Sequence, residues 1–327
     1  MSQNFYVKMD RNPLLDIVKG IGILLVVYGH SKIEFGHYMI YMFHMPLFFL
    51  VSGYLHKERE IKSLLLVKMR SLIKSYIVFF IICSIIDYLL KGNSMIHELD
   101  IFNPNGCAGP LWFLVALFEI SILFQMTLIF TKRYVCVICG MFTIVGYVLS
   151  QYHIDIPLFI DSAISMMLFY YIGFELKRNE HRKFKFSNQA LPFISLLSIV
   201  SFVFLYMLDY KVMHLDVNDI WQNQIMGNFV LYILSALMGV TMIFSISRLL
   251  MQKCPLFVEI VQKLGCVSLY IFVLHMPIID ICYRIGGSYS TVLINLFYCL
   301  VAVTVSYVSV VYQLNSVFYD YLDRGSK

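Results

Sequence analysis

The chain has 327 residues, of which 60% are hydrophobic and 14% charged, with a mean hydropathy of +0.76. A soluble domain is ~45–50% apolar and ~25% charged, so this composition excludes a soluble enzyme, a disordered chain and a secreted disulfide scaffold. The net charge of +5 comes with no basic block interleaved with aromatics, which argues against a nucleic-acid surface.

At ~20 apolar residues per span, the length admits roughly ten spans. Ten apolar runs of helical length are read, at 13–31, 38–56, 72–91, 110–131, 133–150, 159–177, 190–208, 227–249, 264–284 and 290–318. They are continuous rather than alternating, so helices are the spanning form. The expected fold is an all-α polytopic membrane bundle of about ten transmembrane helices, a single membrane domain over 1–327 with no appended soluble domain. The connecting segments alternate in basicity. Twenty of the 25 Lys and Arg fall on one side, against Lys32, Lys91, Lys211 and Arg284 on the other, with Lys19 inside the first run. By the positive-inside rule both termini are cytoplasmic. The first run carries Asp16 and Lys19 and continues into further spans, so it is not a cleaved signal. No internal repeat of the kind that builds inverted-repeat transporters is visible.

Six of the eight cysteines (Cys83, Cys136, Cys139, Cys266, Cys282 and Cys299) lie within apolar runs. The C-x-x-C formed by Cys136 and Cys139 reads as buried small residues on a membrane helix rather than a redox or zinc site.

Polar groups inside a bilayer cost several kcal/mol and mark function by default. The first run carries Asp16, Lys19 and His30. At 100° per residue these fall within about 60° of one another, a polar track along one helix face. Asp16 and Lys19 also fit a local ion pair. In the second run His44 precedes Pro46, which is expected to kink the helix. His56 reads as an interfacial residue at its cytoplasmic end. Arg70 and Lys74, with Lys68, suit either phosphate binding or anionic-lipid contact. Trp112 opens the fourth run, where an aromatic-belt residue would also sit. Asp161 opens the sixth, where it also fits a helix N-cap. His275, followed by Pro277, lies in the outer half of the ninth, with Asp280 beyond it. Asp87 and Glu119 are further intramembrane acids. The histidines are dispersed, with no H-x-x-x-H and no acid-rich cluster, so no metal site is expected.

The runs DIVKGIGILLVVYGH, FHMPLFFLVSGY, GPLWFLVALF, IDSAISMMLFYYIGFEL and LGCVSLYIFVLHMP resemble the integral-membrane acyltransferase-3 family. Within it they resemble the fucose-4-O-acetylase-like branch of bacterial surface-polysaccharide O-acetyltransferases. The resemblance implies about ten helices in the bacterial cytoplasmic membrane. It also implies acyl transfer from cytoplasmic acyl-CoA, usually acetyl-CoA, to a glycan hydroxyl. It makes His30 the catalytic residue and Lys19 the basic residue of the same motif, and it links a basic pair after the second span to the donor. Arg70 and Lys74 stand there at a looser spacing than the family's. The expected assignment is therefore His30 as general base with His44 or Asp161 orienting it, Lys19, Arg70 and Lys74 on acetyl-CoA, and Trp112 and His275 on the acceptor. The alternative from another class is a glycan exporter, using the intramembrane His and Asp as a polar pathway.

Overall fold

The computed structural model describes residues 12–92, 109–154, 156–180, 190–213, 228–287 and 291–310, and every regular element among them is helical. Most of the two long outer connections expected at 92–109 and 209–226 lies outside the described residues. So do Lys8, Arg11, Arg182, Lys183, Lys185, Arg324 and Lys327, and the end of the tenth run.

Helix α1 spans Pro13–Gly29. Asn12 caps it by accepting from the Leu14 N–H at 3.1 Å, and Pro13 takes the first turn, where its missing N–H is no loss. The second expected run is broken. It forms α2 (His37–Tyr41) and α3 (His44–Tyr54), with Phe43 non-helical between them. The break precedes His44, and Pro46 sits in the first turn of α3, so the expected kink after Pro46 is replaced by a fresh helix start. The third run belongs to one long rod: α4 (Ile61–Lys68), a π-turn at Met69–Ile73, and α5 (Lys74–Lys91).

A 3₁₀ turn leads into α6 (Trp112–Phe130), followed by α7 (Val135–Gln151). The sixth run is bent by 57° at Met166 into α8 (Ile160–Ser165) and α9 (Met167–Arg178). Then come α10 (Leu191–Met213), α11 (Phe229–Lys253), α12 (Pro255–Cys266), α13 (Ser268–Gly286) and α14 (Val292–Val308). Among the described residues five helices are long and apolar enough to cross a membrane, or six with the bent pair as one span. The apolar helices α7 and α14 are shorter.

Small residues set the closest approaches, as expected where lipid supplies no hydrophobic drive between helices. A Cβ on Gly53 of α3 would strike the Tyr170 carbonyl of α9, and one on Gly173 of α9 would strike the Leu50 carbonyl of α3. The same device joins α1 to α12, where Gly20 meets the Val261 carbonyl and Gly265 meets the Asp16 carbonyl. Helix α1 is surrounded by α2, α3, α11, α12, α13 and α14, so its polar residues face protein. Large apolar side chains such as Phe193, Leu197, Val200 and Phe204 on α10 are exposed instead, as a lipid-facing surface requires. On the short helix α12, Lys263 donates to Glu259 at 2.5 Å, and this bond holds the Glu259 carboxyl below its ordinary value.

Candidate active site

The end of α1 brings His30 to the beginning of α2. The His30 ring bonds through Nδ1 to the Val26 carbonyl at 2.9 Å. A carbonyl only accepts, so in the neutral ring Nδ1 carries the hydrogen and Nε2 is left as a base. His44 repeats the arrangement, with Nδ1 on the Ile40 carbonyl at 2.9 Å. His275 repeats it again, with Nδ1 2.6 Å from the Phe272 carbonyl and 3.2 Å from that of Ile271. Three histidines on three helices thus share one tautomer.

They also share one place. The His30 and His275 rings meet edge to face with centroids 5.0 Å apart. The Tyr41 ring lies 4.8 Å from His44 and 6.2 Å from His30. His275 is 0% exposed and its Nε2 has no protein partner, whereas His30 is only half-buried. Phe272 touches His275 and also Phe113, whose neighbour Trp112 packs on Phe159. An aromatic wall therefore runs from the histidines to Trp112. Trp112 is buried, not a lipid-facing belt residue. Asp161 is buried in the first turn of α8, near Glu119 of α6. It is not the N-cap, because the cap position is Phe159, at φ +66°.

The opposite end of the bundle is basic and differently wired. Lys19 pairs with Asp16 at 2.7 Å one turn apart on α1, with Asp16 buried. Arg70 is exposed within the π-turn and Lys74 begins α5 directly after it. A cleft of about 350 Å³ opens among Glu58, Lys132, Arg133, Tyr171 and Arg178. His56 is not the expected interfacial residue. It is buried, bonded through Nδ1 to the Tyr170 hydroxyl at 2.9 Å and through Nε2 to Gln125 Oε1 at 3.0 Å. It ties α3 to α6 and α9, because its polar ring, once inside, has to be satisfied. Among the described residues no group of three or more His, Cys, Asp or Glu is arranged to hold a metal ion.

Residues 12–311 match the profile of the acyltransferase-3 family, described as an acyltransferase domain. The chain belongs to the acyltransferase-3 family. No curated protein and no solved structure matches it.

In this acyltransferase the expected site residues thus form two groups. His30 and His44 meet at Tyr41, His275 joins them against His30, and Trp112 connects through Phe113 and Phe272. Lys19, Arg70 and Lys74 belong to the other end. Eleven residues separate Lys19 from His30, a rise of ~16 Å along α1. Sequence reasoning missed His37 and Tyr41. The T-shaped His37–Tyr41 contact, with centroids 4.6 Å apart, is an i,i+4 pair one turn before His44. The ten-span reading starts its second run at residue 38, so it leaves His37 outside the helix and divides the pair, whereas the helix begins at His37.

Chemically, the histidine end offers an imidazole whose Nδ1 is committed to a backbone carbonyl and whose Nε2 is left for chemistry. Its neighbours are apolar walls and other neutral imidazoles. The family supplies the reaction class, acyl transfer. An imidazole base is suited to taking the proton of an attacking hydroxyl near neutral pH.

Proposed function

We propose that this acyltransferase moves an acetyl group from cytoplasmic acetyl-CoA to a sugar hydroxyl of a bacterial surface glycan. In this reading it is a ten-span protein of the bacterial cytoplasmic membrane with both termini inside. It stands with the fucose-4-O-acetylase-like branch that its motifs resemble. The observation that carries the reading is the His30 ring, fixed through Nδ1 so that Nε2 is left as a base beside His275.

The step balances as follows. The acceptor hydroxyl oxygen attacks the thioester carbonyl while His30 Nε2 takes the hydroxyl proton. The C–S bond breaks as the C–O bond forms. The proton on His30 then passes to the departing thiolate, giving ester and free thiol. His44 lines the base, and Asp161 is the second group assigned to orient it. His275, with its unpartnered Nε2, accepts a hydrogen bond from the acceptor, and Trp112 stacks on the sugar face. Arg70 and Lys74 pair with the phosphates of the donor, which enters from the basic end. Lys19 contributes through its pair with Asp16, which keeps a balanced polar track under the site. The family assignment weighs against the exporter reading, since acyl transfer requires only that the two substrates meet at His30.

The test has two parts. Acetyl content of the surface polysaccharide is read by NMR from wild-type, His30→Ala and deletion cells, and the purified chain is assayed for thiol release from acetyl-CoA. Loss of acetyl signal in both mutants with glycan still exported is the expected result. Unchanged acetylation with loss of surface glycan overturns it in favour of export.

A further inference from the structure

We propose that His37 and Tyr41 of α2 form a clamp on the end of α1 that positions His30, an inference that rests on His30 being the base. Helix α1 ends at Gly29, whose carbonyl is one of the last four in the helix and has no partner within it. The Tyr41 hydroxyl donates to that carbonyl at 3.2 Å, and the His37 ring backs the tyrosine ring edge to face. The two residues are one turn apart on α2, so they turn one helix face to the end of α1, with Tyr41 holding the oxygen and His37 holding Tyr41. The oxygen belongs to the peptide that leads directly into His30.

Gly29 makes the approach possible. A Cβ there would lie 3.2 Å from Tyr41 Cε2, 3.6 Å from Ile40 Cγ2 and 3.9 Å from His37 Cδ2. The Tyr41 ring also meets His37 edge to face at 4.6 Å and His44 at 4.8 Å, with interplanar angles of 79° and 67°. One tyrosine therefore sets the distance between the helix that carries His30 and the helix start that carries His44. The break between α2 and α3 serves this geometry, because an unbroken second span would not turn residues 37–41 across the end of α1. Tyr41 and His37 are positioning residues: Tyr41 bonds the Gly29 carbonyl and packs on His37 and His44, with no role in the proton step itself.

The experiment uses the full chain in detergent, with acetyl-CoA and polysaccharide isolated from the deletion strain as probes. It compares Tyr41→Phe, Tyr41→Leu and His30→Ala. In Tyr41→Leu, kcat falls about 100-fold, the scale of a ~1 Å misplacement of a reacting group, while the KM for acetyl-CoA stays within about twofold. Tyr41→Phe keeps the ring and loses only the hydrogen bond, and kcat falls by about fivefold. The second readout is the ¹⁵N spectrum of histidine-labelled protein, with the His30 signals assigned by their loss in His30→Ala. Wild type gives the Nδ1–H tautomer, and Tyr41→Leu gives mixed tautomers. Wild-type kcat in both tyrosine variants, or an unaltered His30 ring spectrum in both, overturns the clamp. Transfer that survives His30→Ala overturns the base assignment instead, and the ¹⁵N spectra then still decide whether Tyr41 orders that ring.

Discussion

His30 and His56 are the same side chain in two different employments. His56 has both ring nitrogens bonded to protein, one to Tyr170 and one to Gln125, and is buried between Phe124 and Phe174. His30 spends one nitrogen on its own helix and keeps the other beside His275. At the basic end Lys19 follows His56, since it is spent on Asp16. A satisfied polar group in a membrane bundle holds helices together, and one with a free nitrogen facing its neighbours can do chemistry.

Replacing each partner breaks or sharpens that contrast. The largest effect is expected at His30. His30→Ala lowers the transfer rate by about 10²–10⁴-fold, the usual contribution of a general base, with membrane insertion and melting temperature unchanged. Initial rates and a melting curve on the purified protein check this. Next comes Lys19→Met, which strands the buried Asp16 carboxylate and destabilises the fold by about 3 kcal/mol. The double variant Asp16→Asn with Lys19→Met recovers most of that, and denaturant titration in micelles measures both.

His56→Ala inverts the His30 result. It leaves the Tyr170 hydroxyl and Gln125 without their partner, costs about 2 kcal/mol of stability, and changes kcat at most severalfold. A His56→Ala variant with native stability and no activity would dissolve the distinction between the two histidines. The smallest effect is expected for Arg70→Ala. It raises the KM for acetyl-CoA about tenfold, the loss of one charge-assisted phosphate contact, and leaves kcat unaltered under saturating donor. Steady-state kinetics over a donor titration decides it.

Much of this was legible from residue order alone. The apolar runs fall on helices, because a polypeptide in hydrocarbon has to satisfy its own backbone. Asp16 and Lys19 pair as their i,i+3 spacing allows. The errors share one cause. Pro46 looked like a kink within a span, yet it sits in the first turn of a new helix, and the bend at Met166 divides what reads as one apolar run. Hydropathy counts apolar residues without sensing where the chain breaks. Trp112, Asp161 and His56 each had a plausible local role at an interface or cap, and burial in the bundle assigned them otherwise.

By itself the sequence determined the solvent, the helical class and the acyltransferase-3 motifs, since those depend on composition and on residues near one another in the chain. Only the tertiary structure decided that His275 stands edge to face with His30 and that Tyr41 grips the end of α1. The same holds for His56, whose two nitrogens are both taken. Those relations join residues 12 to 245 positions apart, and no local periodicity encodes which helix packs on which. Glycines at closest approach and side chains bonded to stray carbonyls set them, and both act only once the bundle has closed.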